Sequence, residues 1–155
     1  MVPVIFSWYV QDLFQVLLSG KFLVPDIFLV FLIYRMTREP KDVLSVVWPA
    51  FVGGFLWDLR WTALPGLTAA IYSLIAGVCV VVWNQVPDSG RNARLFLVLA
   101  LSAQILAGLV RFISWGSSRG ALVEALAFQQ FSALPVVIVA ALVVAVGVDK
   151  DNVKR

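Results

Sequence analysis

The stretch FVGGFLWDLRWTALPGL, Phe51 to Leu67, carries the reading that decides the fold. It opens as an apolar run and holds the pair Gly53-Gly54. It then places Asp58 and Arg60 between Trp57 and Trp61, and closes on Pro65-Gly66. Adjacent glycines in an apolar helix suit close packing of backbones. Tryptophan favours the level where lipid meets water. Asp58 and Arg60 therefore read as the outer end of one membrane helix. Proline suits the first turn of a helix, where its missing N–H is no loss. Pro65-Gly66 thus reads as the start of a second helix folded back on the first.

Composition extends this reading to the whole chain. Of 155 residues, 61% are hydrophobic and 14% charged, with a mean hydropathy of +0.94. A soluble domain is about half apolar and about a quarter charged, so lipid is the expected solvent. The length allows one domain. A membrane helix needs about 20 mostly apolar residues, with about 17–25 the usual range. Scanning for such runs predicts helices over 2–19, 22–36, 43–59, 64–83, 95–115 and 122–148. The sixth contains Pro135 and is expected to tilt or kink. The predicted fold class is all-α: a polytopic membrane protein, a compact bundle of six transmembrane helices over residues 1–155.

The connections are short: Gly20-Lys21, RMTREPKD, the link from Arg60 to Ala63, NQVPDSGRNAR and GSSRG. They force neighbouring helices antiparallel and leave no room for a domain outside the membrane. Positive charge in short loops is retained in the cytoplasm. One side carries eight cations (Arg35, Arg38, Lys41, Arg91, Arg94, Lys150, Lys154, Arg155), the other four (Lys21, Arg60, Arg111, Arg119). Both termini are therefore expected in the cytoplasm. The N-terminus lacks the basic lead of a signal peptide and reads as a retained helix.

Several classes of chemistry find no signal. A net charge of +3, scattered over loops, forms no nucleic-acid face. Histidine is absent, which removes the commonest general base and metal ligand. Cys79 is the only cysteine, a small apolar side chain against lipid or a neighbouring helix. No glycine-rich phosphate loop appears, and no lysine lies at depth. No catalytic residue, metal ligand or cofactor is expected.

Polar residues inside the segments are the candidate site. Ser7, Gln11, Gln15 and Ser19 recur every four residues and line one helix face. Asp12 adjoins them, and a charge at such depth costs about 2.5–3.5 kcal/mol on insertion scales. The stripe is either a substrate pocket or partner-recognition face, or an internal seam of interhelical hydrogen bonds. Asp26, Asp58 and Glu124 fall near outer helix ends, and Glu124 is a possible partner for Arg111. Asp58 and Arg60 read as a partner contact or a local interfacial ion pair, and Gln104 as a packing hydrogen bond. Alanines 121, 125, 133, 141 and 145, with Gln129 and Val137 in register, form a small-residue packing stripe. Ala69, Ser73 and Gly77, then Ala103 and Ala107, do the same on the fourth and fifth segments.

The order of these features resembles the MreD family, the small polytopic rod shape-determining proteins of bacteria. The resemblance lies in three pieces: Pro25-Asp26 opening a short helix, Gly54 four residues before Asp58-Leu59, and Pro65 to Ala69 after a short link. It covers residues 22–77. It implies a non-enzymatic scaffold or adaptor of the bacterial cytoplasmic membrane within the cell-wall elongation machinery. Such a scaffold binds MreC and works indirectly with MreB, RodA and its transpeptidase partner in peptidoglycan synthesis. The family is also similar in architecture to the substrate-binding S components of small-molecule transporters, which makes a transporter subunit the alternative. Gln11, Asp12 and Gln15 as pocket-lining residues favour it. The lack of any alanine before Ala50 argues against it, since S components commonly carry an Ala-x-x-x-Ala coupling face on the first helix. An intramembrane enzyme is a third class, with neither histidine nor paired acids in its support.

Overall fold

A computed structural model of the chain describes residues 2–17, 25–38, 42–61, 64–87, 90–114 and 119–153. These form six helices: α1 (Val2–Leu17), α2 (Ile27–Arg38), α3 (Leu44–Trp61), α4 (Leu67–Gln85), α5 (Ala93–Ser114) and α6 (Arg119–Val153). The all-helical expectation holds for the described residues. Six spans do not: three helices are long and apolar enough to cross a membrane, at Leu67–Gln85, Ala93–Val110 and Ala127–Val146. At about 1.5 Å per residue, α2 with 12 residues reaches about 18 Å, short of the ~30 Å hydrocarbon layer, and the 16 described residues of α1 cover about 24 Å. α3 is long enough, but Trp48, Pro49, two glycines, Asp58 and Arg60 dilute its apolar character.

The short α2 is the centre of the molecule. It packs against each of the other five helices and buries Phe28, Leu29, Val30, Leu32, Ile33 and Met36. A helix enclosed on all sides needs apolar residues all round, and IFLVFLIY supplies them. Around it stand two closely packed hairpins, α3 with α4 and α5 with α6. The outer surface is itself apolar: Phe6, Tyr9 and Leu13 of α1, Leu59 of α3, Leu74 of α4 and Leu142 of α6 are exposed. Water would penalise such a surface, whereas lipid does not.

The α3–α4 joint differs from its expected form. Pro65-Gly66 does not begin α4; it forms the turn before it, and α4 starts at Leu67. Gly66 has φ 95°, a left-handed conformation that suits glycine and lies outside any helix. α3 runs on through Asp58 and Arg60 to Trp61, so both charges belong to the helix. The close approach depends on Gly54. A Cβ there would lie 2.6 Å from the Ala69 Cα and 2.8 Å from the Thr68 carbonyl oxygen.

The small-residue stripes are corrected by helix pitch. Gln129, Ala133, Val137 and Ala141 are buried, then Val144 takes the inward position and Ala145 faces out. A strict four-residue repeat drifts off a 3.6-residue helix. On α4 the inward face is Ala69, Tyr72, Ala76, Cys79 and Trp83, with Ser73 and Gly77 only half-buried. Ala103 and Ala107 of α5 are buried as expected. Trp57 and Trp83 are buried in the bundle. Residues Ser19, Lys21 and Trp115, and the side chains of Arg111, Arg119, Ala121 and Ala125, lie outside the described set, and with them the Arg111–Glu124 pair.

Candidate functional site

Because α2 begins inside the bundle, its first backbone N–H groups start away from water, and a helix start leaves about four such donors without an intrahelical acceptor. Side chains from α1 and α5 meet this demand. The Phe28 N–H donates to Gln11 Oε1 at 2.9 Å. The Asp26 N–H donates to Gln104 Oε1 at 3.0 Å. Gln104 Nε2 in turn donates to the Asp26 carbonyl at 3.1 Å, so one amide pairs with both backbone groups of one residue. The same carbonyl accepts the Val30 N–H and opens the helix.

The Asp26 side chain is fully buried at the positive end of the α2 dipole, where a carboxylate is favoured. Its Oδ1 accepts from Gln11 Nε2 at 3.1 Å and from the Tyr72 hydroxyl at 2.5 Å. Gln129 Nε2 approaches Asp26 Oδ2 at 3.5 Å and Gln104 Oε1 at 3.4 Å. Those two contacts are long, and Gln129 Oε1 is buried with no hydrogen-bond partner, as is Gln130 Nε2. Gln104 lies ten residues inside the end of α5, about 15 Å along the axis. The cluster is therefore deep in the bundle.

A second cluster closes the α3–α4 joint. Asp58, buried on the last turn of α3, turns its Oδ2 to the start of α4. There it accepts the N–H groups of Gly66 (2.9 Å), Thr68 (2.9 Å) and Ala69 (3.3 Å). A preceding helix thus caps the following one, because Gly66 has no side chain with which to do so. A third cluster ties α1 to α3: Arg60 Nε lies 3.1 Å from Asp12 Oδ1, and Trp61 Nε1 donates to the same oxygen at 2.9 Å.

Of the eight residues singled out in the sequence, Gln11 and Asp26 meet in the first cluster, Asp58 and Gly54 at the joint, and Asp12 and Arg60 in the latch. Gln15 is buried on the Gln11 face, and Glu124 is exposed, apart from all three. The reading of Asp58 and Arg60 as an ion pair is overturned. Residues two apart on a helix do not face each other, and Arg60 pairs with Asp12 across helices. The polar stripe of α1 points inward, so its residues serve the bundle interior. Gln104 makes the packing hydrogen bonds read from the sequence, but its partner, and the part played by Gln129, Tyr72 and Trp61, were not legible. A lone glutamine, tyrosine or tryptophan on an apolar helix carries no spacing signal.

Among the described residues no three His, Cys, Asp or Glu side chains converge. The clusters are hydrogen-bond donors gathered round single carboxylates, which suits holding helices in register. No family model, no curated protein and no solved structure matches the chain.

Proposed function

We propose that this chain is a membrane-embedded scaffold of the MreD kind, acting in the cell-wall elongation machinery by binding an MreC-like single-span partner through its helix faces. One observation carries the reading. The residues on which the resemblance rests are residues the fold uses: Pro25-Asp26 open the buried central helix. Gly54 and Asp58 make the α3–α4 joint with Gly66 and Ala69. Each of these sequence pieces thus serves the packing of the bundle, at two separate places. The broad apolar exterior and short connections leave helix faces as the place for partners to bind.

The test is co-purification in mild detergent. An epitope-tagged chain expressed with an MreC-like single-span protein should retain it through size exclusion, and depletion in a rod-shaped host should give round cells. Failure of both ends this reading. The transporter-subunit alternative draws on the buried polar cluster around Asp26, where Gln129 keeps an unused acceptor. Capture of an ATPase pair, or of a small molecule between the helices, would favour it.

A further inference from the structure

α1 packs chiefly against α2 and leaves an apolar trough between itself and α3. The trough has a volume of about 370 Å³. Its walls are Trp8 and Tyr9 on one side and Val52 and Leu56 on the other, and its floor is Phe28 with Gly53. The floor exists because Gly53 carries no side chain: a Cβ there would meet the Phe28 ring at 2.3 Å. Trp8 Nε1 crosses at depth to the Gly53 carbonyl, 3.0 Å away.

The end of the trough is charged. Leu56 is followed one turn later by Arg60, and Tyr9 by Asp12, so the Asp12–Arg60 pair stands at its mouth beside the half-buried Trp61. Arg60 is 51% exposed. A guanidinium has five N–H donors, and Asp12 meets the one on Nε. The guanidinium also lies 5.6 Å from the Trp61 ring centre. No other Arg60 partner occurs among the described residues, so the ion pair orients the cation and leaves its outer edge available.

We propose that the α1–α3 trough holds one acyl chain of a phospholipid whose phosphate is bound by Arg60. Charge points to this occupant, because an exposed guanidinium binds phosphate through paired N–H groups, and the cation and indole sit where lipid headgroups lie. The inference rests on membrane embedding, not on the scaffold reading.

Reconstitution into phosphatidylethanolamine–phosphatidylglycerol vesicles containing diazirine-acyl phosphatidylglycerol tests it. Photo-adducts should concentrate on Trp8, Val52 and Leu56 over Leu142 and Val146 of α6, although those two are the more exposed. Val52→Trp, at an exposed position that tolerates bulk, should empty the trough of label and leave α6 labelling unchanged. Arg60→Gln should lower trough labelling about tenfold, the effect of losing one charge-assisted contact. Asp12→Asn, which breaks the ion pair but keeps the cation, should retain it. Even labelling of trough and α6, or labelling indifferent to Arg60→Gln, overturns the proposal. So does a benzophenone amino acid at Val52 that yields adducts with a second copy or another protein instead of lipid.

Discussion

Asp58 shows how much one oxygen can carry when water is absent. Three backbone N–H groups converge on its Oδ2, and each buried donor left without a partner costs about 1–3 kcal/mol. Asp58→Ala should therefore lower stability by on the order of 3 kcal/mol, allowing for partial relaxation. Asp58→Asn should lose about half as much, since charge-assisted bonds are roughly twice as strong as neutral ones. Detergent-micelle unfolding followed by circular dichroism gives both values. The glycines should separate in the same assay. Gly54→Ala drives a Cβ into the backbone of Ala69, which cannot move without parting α3 from α4. Gly53→Ala meets the far end of the Phe28 side chain, which can shift more readily than backbone. Gly54→Ala should be the more damaging by about 1–2 kcal/mol, as overpacking against backbone relaxes less than against a side chain. Asp58 was visible in the sequence as a charge at a helix end. Its task was not, because the acceptor and the three donors lie across a turn whose geometry depends on the left-handed Gly66.

A helix that starts inside a bundle must find its caps on its neighbours, and α2 finds them on α1 and α5. Gln104 pairs with the N–H and the carbonyl of Asp26. Gln104→Leu would orphan the N–H, and should destabilise by about 2 kcal/mol. Gln129 occupies the same cluster but makes two long contacts and buries an unused oxygen. Gln129→Leu removes that oxygen and keeps the volume, so it should be near neutral, within about 0.5 kcal/mol. Equal losses in the two variants would mean the cluster acts as one unit and that pairwise geometry does not rank its members. The sequence showed the apolar run of α2 and the Pro25-Asp26 start, and it showed the α1 stripe by its four-residue repeat. It could not show that α2 is central, since an all-round apolar segment reads the same whether lipid or protein surrounds it. For the same reason six apolar segments read as six spans, whereas α2 can be short when longer neighbours such as α4, α5 and α6 set the thickness of the bundle.

At the scale of the molecule, the two ends of the bundle are closed by different chemistry. At one end Asp58 caps the start of α4, and Arg60 and Trp61 latch onto Asp12. At the other, Arg91 donates to the carbonyls of Trp83, Asn84 and Val86 at the close of α4, and Asn92 Oδ1 accepts the N–H groups of Arg94 and Leu95 at the start of α5. The α3–α4 turn and the α4–α5 turn therefore lie at opposite ends of α4, one of the three helices able to cross a membrane. The bias of Lys and Arg toward the second of these turns predicts that it lies on the cytoplasmic side. The sole cysteine, Cys79, is buried in the core, which makes the prediction easy to read. In intact cells the native chain should resist a maleimide until it is unfolded. In a Cys79→Ala background, Leu64→Cys should be labelled by a membrane-impermeant maleimide from outside. Arg94→Cys should be labelled only after the membrane is permeabilised. Leu64 and Arg94 are both exposed in the fold, so burial cannot account for a silent site. Labelling of both from one side would mean that α4 does not cross, and the lipid-facing reading of the whole exterior would fall with it.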